Sequence, residues 1–319
     1  MDYFLGIDLG GTALKIGITS DKGVIVSKQS FETDASADAK TLAAYIGACA
    51  LKLVRESSLP LKKIKGAGVG SPGTVNPETG QLTFVANLQM LNNYYLGPAL
   101  EKAIGLPVFI DNDANAMVLG EFYYGAAKGY KNIIGMTLGT GIGGGIIIDG
   151  RLYRGSTYSA GEIGHMSIET NGLLCNCGNY GCIERYVGRE GIVSRFNAYY
   201  IQKQTKSAIH QFLDNGAITP KAIARAAKAG DALATLVLHE AGTFLGIALA
   251  SLVNILNPEI IVIGGGIANA GETLLEPAKN EMLKRAYVVP ARSVKVVAAK
   301  LRNDAGIIGA ASIAVDSLH

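Results

Sequence analysis

An α/β protein of two similarly built domains is what the sequence predicts, and three observations carry the prediction. Strand-like apolar runs alternate with helical periodicity from end to end. The opening LGIDLGGTALKIGITSD (Leu5–Asp21) returns as GMTLGTGIGGGIIIDG (Gly135–Gly150), with Gly6, Leu9 and Gly10 matched by Gly135, Leu138 and Gly139 at a constant offset. A chain of 319 residues is also longer than one core comfortably serves.

Taken in order, Tyr3–Ile7 reads as a strand running into the turn Asp8–Thr12. A second strand, Ala13–Thr19, ends at the turn Asp21-Lys22-Gly23, and Val24–Gln29 continues as a third. Ala37–Ser57 has helical spacing, and Ile64–Gly70 is a short strand entering the turn Ser71–Asn76. Leu96–Ile104 is a helix closed by Gly105 and Pro107. Val108–Ile110 is a buried strand, after which Asn112-Asp113 starts a helix reaching Tyr124. The returning hairpin comes next. Further on, Pro220–Lys228 and Ala232–Leu256 are helical, and Asn257-Pro258 stops the second. Glu259–Ile263 is a buried strand feeding Gly264-Gly265-Gly266, Val294–Ala298 is a late strand, and Asp304–Leu318 is a last helix with small residues on its packing face.

Composition excludes several classes. Hydrophobic residues make up 49% and charged residues 17%, a well-packed globular balance far from disorder. A net charge of +3 with no basic run advertises no nucleic-acid partner. MDYFLGIDLGGT has neither a cationic leader nor a long apolar stretch, so no signal peptide is expected. The apolar stretch Phe244–Leu256 is too short for a membrane span, so a buried helix and no membrane partner are expected. Four cysteines, three of them clustered, fit metal binding in a reducing cytoplasm better than a disulfide framework; Cys49 reads as core.

Chemistry concentrates in three places. Glycine turns follow strands at Asp8–Thr12, Leu138–Gly145 and Gly264–Gly266, and glycine lets backbone amides approach an anion. Three such turns point to a bound nucleotide, held by hairpin amides and the hydroxyls of Thr12 and Thr140. Gly139–Gly144 matches the dinucleotide fingerprint in form, yet a strand follows where that fingerprint needs a helix, and no Walker A lysine motif occurs. Asp8, beside the first turn, is placed to hold Mg²⁺ near phosphates, through water. Asp111-Asn112-Asp113-Ala114-Asn115 sets four polar residues between an apolar strand and an apolar helix. Asp113 at a helix N-terminus would stay ionised and could take a proton from an attacking sugar hydroxyl, with Asn112 bonding neighbouring hydroxyls. Simple helix capping by Asp111 or Asn112 is the plainer alternative. Third, His165, Cys175, Cys177 and Cys182 form a donor set for tetrahedral zinc, with Glu162 and Glu184 at the two ends of the loop.

These segments resemble the ROK family (repressors, open reading frames and sugar kinases). The resemblance rests on Asp8–Thr12, Leu138–Gly141, Asn112–Asn115 and the run from Gly161 through Glu184, and extends from residue 4 to about 315. It implies an actin-like, hexokinase-like ATPase fold with an interdomain cleft, the last helix returning to the first domain. The expected domains are residues 1–115 with 304–319, and residues 116–303 carrying the zinc loop. It implies ATP-dependent phosphorylation of a hexose, usually at the 6-hydroxyl. Asp113 would be the catalytic base. Gly73, Asn87, Asn112, Asp113, Glu162, His165 and Glu184 would line the sugar site, with His165 using its second ring nitrogen there. Gly10, Gly11, Thr12, Thr140 and Gly141 would cradle phosphates, and Gly265 and Gly266 would lie near adenosine. Structural Zn²⁺, Mg²⁺ with ATP, a homodimer and a cytoplasmic location complete the expectation.

Many glucose-specific members carry a tryptophan shortly after the asparagine equivalent to Asn87; this chain has no tryptophan and reads Asn87-Leu88-Gln89-Met90-Leu91-Asn92. Glucose is the first expected sugar, with N-acetylmannosamine, N-acetylglucosamine, fructose, mannose and allose as alternatives. A sugar-sensing regulator of the same family would carry a DNA-binding module ahead of the first turn, and Asp8 leaves it no room. A structural ATPase would explain the glycine turns but neither the cysteine cluster nor Asn112-Asp113.

Overall fold

In the first sheet the glycine hairpin is the organising piece. Tyr3–Leu9 pairs antiparallel with Ala13–Ser20, which pairs with Ile25–Glu32. On its other edge Tyr3–Leu9 runs parallel to Ile64–Ser71, and that strand parallel to Val108–Asn112. Leu5, Ile7, Leu9, Leu14, Ile16 and Ile18 alternate onto one face and are buried there, as a period of two requires. The opposite face carries glycine. Gly6 lies in register with Gly17 on one side and Gly68 on the other. The last helix, Ala305–Leu318, presses on this bare strip: a β-carbon at Gly6 would collide with the Ile307 carbonyl oxygen, and one at Gly68 with that of Ala310. Ala311, Ala314 and Val315 of that helix close over Phe4.

The returning hairpin builds a second sheet on the same plan. Ile133–Leu138 and Ile142–Ile148 form the hairpin, Arg151–Leu152 continues it antiparallel, and Ile260–Gly264 then Lys295–Ala298 add parallel strands on the far side of Ile133–Leu138. The internal repeat read in the sequence is thus a repeat of sheet topology. The longest helix, Ala232–Leu256, meets Glu272–Arg285 across Gly242 and Gly246. These lie one turn apart, and β-carbons there would run into the carbonyls of Leu274 and Ala278. By length and composition this is the one helix among the described residues apolar enough to cross a membrane, but 61% of its most apolar window is buried inside the protein.

The computed structural model describes residues 1–318. It divides into two units: Met1–Lys131 with Gly145–Gly161 and the chain from Ala299 onward, and Asn132–Gly144 with Glu162–Ala298.

Most expected elements occur within a few residues of their expected ends. Ala39–Glu56 is capped by Asp38, whose side chain accepts from the amides of Lys40 and Thr41. Gly105 closes Leu96–Ile104 in the left-handed region, as Asn257 closes Ala232–Leu256. The turn expected over Ser71–Asn76 instead ends in a strand, Thr74–Asn76, forming a small sheet with Gln81–Phe84 and Tyr94–Tyr95. Four α-helices fall outside the sequence expectations: the short Glu184–Val187 and Val288–Ser293, and the longer Arg189–Asn197 and Glu272–Arg285. Arg189–Asn197 has no side-chain cap and buries only Gly191, Ile192 and Phe196, while Glu272–Arg285 contains Pro277.

Candidate functional site

In the first unit, strand Val108–Asn112 delivers the polar run to the start of helix Asp113–Tyr124. Asn112 is the cap: its Oδ1 accepts from the amides of Ala114 at 2.8 Å and Asn115 at 3.4 Å. Its Nδ2 donates to the Gly73 carbonyl at 3.0 Å. Asp113 follows as the first helical residue, exposed, with Oδ1 accepting from the Ala114 amide at 2.8 Å. The helix N-terminus favours its negative charge. Asp111 is not a cap: it is buried and accepts from Arg154 Nε at 2.7 Å and Asn115 Nδ2 at 2.8 Å. Gly73 has φ +87°, and a β-carbon there would strike the Phe84 carbonyl oxygen, so only glycine carries the chain past this point.

The first glycine turn lies in the same unit. Gly10 donates its amide to the Ala13 carbonyl at 3.0 Å, and its own carbonyl accepts from Thr33 Oγ1 at 2.8 Å. A β-carbon on Gly11 would sit 3.5 Å from Asn87 Cβ, so the expected phosphate turn and the expected sugar-binding asparagine are neighbours. Thr12 is exposed at this turn. Asp8 faces Lys15 Nζ at 3.7 Å and abuts Gly306 at the start of the last helix. Burial raises the pKa of the Asp8 carboxyl above the usual range, with the Lys15 charge opposing.

In the second unit the His-Cys-Cys-Cys residues converge. One potential ligand atom from each of His165, Cys175, Cys177 and Cys182 lies within 4.8 Å of all the others. Cys175 Sγ is 3.7 Å from His165 Nδ1, and Cys177 Sγ is 3.7 Å from Cys182 Sγ. A zinc tetrahedron with metal–sulfur bonds of about 2.3 Å has edges of about 3.8 Å, so these two pairs stand at the length of such an edge and the set as a whole is compatible with zinc. Burial pushes the Cys182 thiol up to about 12, while the Asn179 amide holds Cys177 below its ordinary value. A metal bound by this set would displace thiol protons.

The cysteine loop also grips the second glycine hairpin. Glu184, two residues after Cys182, accepts the Ile142 amide on Oε2 at 2.9 Å. Gly164, beside His165, packs so tightly on the Ile142 carbonyl that a β-carbon there would collide. Glu162 is exposed, and its carbonyl accepts from the His165 amide at 3.1 Å. At the hairpin itself Gly139 donates to the Gly141 carbonyl at 2.9 Å and accepts from the Arg189 amide at 3.1 Å.

Next to the hairpin opens a cavity of about 520 Å³, lined in part by Gly139, Thr140, Arg189, Gly266 and Asn269. Helix Pro220–Lys228 forms one wall, started by Thr219, whose Oγ1 accepts from the Ala222 amide at 3.1 Å. Thr140, expected at the phosphates, and Gly266, expected near adenosine, thus line one cavity. Gly265 sits behind it, at φ +87° against the Leu138 backbone. Three cations of the wall are engaged: Lys221 with Asp214, Arg225 with the Phe212 and Leu213 carbonyls, and Lys228 with the Asn269 carbonyl. Arg189 and Asn269 escaped sequence reasoning, because neither stands in a motif. Arg189 is recognisable only from its amide contact with Gly139.

The likeness of this chain to known proteins runs along nearly its whole length. The chain is 36% identical over 312 residues to a glucokinase of Thermotoga maritima, covering 97% of this chain and 96% of that protein. The structure of a ROK family glucokinase from Streptomyces griseus, in complex with glucose and AMPPNP, superposes with a TM-score of 0.84 at 32% identity, covering 98% of each chain. A ROK family transcriptional regulator, homologous to the E. coli MLC protein, superposes at 0.89 with 30% identity over 98% of this chain but 78% of that one. The ROK family pattern itself matches residues 4–317, and the chain belongs to the ROK family.

Proposed function

We propose that this protein is an ATP-dependent hexose kinase that transfers the γ-phosphoryl group to the 6-hydroxyl of glucose. The observation that carries this reading is the near full-length likeness to glucokinases in a chain that keeps an exposed carboxylate, Asp113, at a helix start. Asp113 accepts the proton of the attacking hydroxyl, for which a single well-placed base contributes about 10²–10⁴-fold. In the first unit Gly73, Asn87 and Asn112 serve the sugar, and Gly10, Gly11 and Thr12 the phosphates. In the second unit Glu162, His165 and Glu184 serve the sugar, Thr140 and Gly141 the phosphates, and Gly265 and Gly266 the adenosine end of the cavity. Arg189 adds a cation at the phosphate end, where a guanidinium suits phosphate oxygens.

Asp8 holds Mg²⁺ through water. His165, Cys175, Cys177 and Cys182 hold a structural Zn²⁺, which the spacing of the four donors supports. That ion supplies rigidity: it fixes the His165 ring and the loop bearing Glu162 and Glu184. We further propose a cytoplasmic homodimer acting at the entry of hexose into glycolysis.

The test is ADP release from Mg·ATP over glucose, mannose, fructose, N-acetylglucosamine, N-acetylmannosamine and allose. Turnover with glucose at the highest kcat/KM is the expected result; another sugar in first place reassigns the substrate. No turnover across the panel removes the kinase reading and favours the sugar-sensing regulator, for which the likeness to the transcriptional regulator is the supporting observation.

A further inference from the structure

We propose that Arg154 is a positioning residue for phosphoryl transfer, acting through Asp111 on the turn that presents Asp113. The inference rests on the assignment of Asp113 as the base and goes beyond it to what holds that base in place.

Asp111 is 2% exposed, and a carboxylate that deep needs donors on both oxygens and a cation beside it. Oδ2 receives Arg154 Nε at 2.7 Å. Oδ1 receives the Asn112 amide at 2.7 Å and Asn115 Nδ2 at 2.8 Å. These last two donors bracket Asp113 in the sequence, one residue before it and two after. The Asp111 carboxylate therefore staples both sides of the residue that carries the chemistry.

The Asn115 amide shows how strongly Asp111 dictates the arrangement. Its NH₂ faces the carboxylate, and its Oδ1 is buried with no partner. A carboxylate only accepts, so the amide must present its hydrogens to it, which turns its oxygen the other way, where no donor meets it. Arg154 itself is firmly mounted. It follows the strand Arg151–Leu152, its carbonyl accepts from the Ala160 amide at 3.0 Å, and Gly155 turns the chain at φ +71°. An exposed ion pair would contribute little, but here the Asp111 side chain is 3% exposed and that of Arg154 24%.

Without the guanidinium, the buried carboxylate loses its cation and the turn around Asp113 relaxes. A displaced base weakens the transition state more than ground-state binding, and a shift on the order of 1 Å costs about 10²-fold. The test is steady-state kinetics of the full chain with Mg·ATP and glucose. Arg154→Met is expected to lower kcat about 10- to 100-fold, with KM for glucose and for ATP within about threefold of wild type. Arg154→Lys, which keeps the cation but not the planar fork, is expected to recover part of that loss. In an Asp111→Asn background the buried charge is gone, so adding Arg154→Met is expected to cost less than it does alone.

Arg154→Met with wild-type kcat, a loss expressed in KM instead of kcat, or additive effects in the double variant each overturn the proposal. Should Arg154→Met not fold, Arg154→Lys and the Asp111→Asn pair decide it by the same criteria. Asp113→Asn, run alongside, separates the two readings. If it keeps near-normal kcat, the base assignment falls and this proposal with it. If it is inactive while Arg154→Met behaves as wild type, only this proposal falls.

Discussion

Asp113 is one of several carboxylates whose surroundings decide what each does. It is exposed at a helix start, whereas Asp111, two residues earlier, is buried against Arg154. The first is open to a substrate, as its proposed role requires; the second is engaged by Arg154, Asn115 and the Asn112 amide. Asp113→Asn is expected to reduce kcat by about 10²–10⁴-fold, with glucose affinity by calorimetry changed far less. Much of this contrast was legible. The surplus of polar residues between an apolar strand and an apolar helix marked the segment, and Asn112 proved to be the cap that the plainer reading allowed. The role of Asp111 was not legible, because its partner lies 43 residues away and no local pattern reveals a long-range ion pair. Glu184 is similar. Sequence marks it as the end of the cysteine loop, and only the folded chain reveals its bond to the Ile142 amide.

At the scale of elements, helix Asp113–Tyr124 is held at both ends by side chains. Near its C-terminal end Glu121 is fully buried, accepting from the amides of Ala126 at 2.6 Å, Lys300 at 3.1 Å and Leu301 at 2.8 Å. It thereby ties the helix to the segment leading into the last helix. Glu121→Gln turns an acceptor into a partial donor facing backbone N–H groups. The expected cost is about 1–3 kcal/mol of stability, read as a lower denaturant midpoint. Elements with strong signals were legible: the paired hairpins, the capped helices and the glycine and asparagine stops. The small sheet from Thr74 to Tyr95 was not, because strands of two to four residues hold no periodicity to read. Helix Glu272–Arg285 was hidden by Pro277, which the folded chain tolerates through packing on Gly242.

For the whole molecule, ligands and metal should act as stabilisers measurable without turnover. Glucose or AMPPNP at one hundred times its Kd is expected to add about 2.7 kcal/mol, seen as a rise in Tm. Removing metal with a strong chelator is expected to lower Tm and weaken AMPPNP binding along with sugar binding, since the cysteine loop clasps the second glycine hairpin at Ile142. Elemental analysis of protein purified without chelators should find about one zinc per chain; its absence would remove the metal assignment. The glycine strip across Gly6, Gly17 and Gly68 has a consequence in time as well as in space. Its cover, Ala305–Leu318, is made more than two hundred residues after the strands beneath it. At synthesis rates of about 5–20 residues per second, the nascent sheet waits on the order of ten to fifty seconds with that strip bare. During this interval the newborn chain offers a chaperone, or another nascent chain, a surface that the finished enzyme never shows.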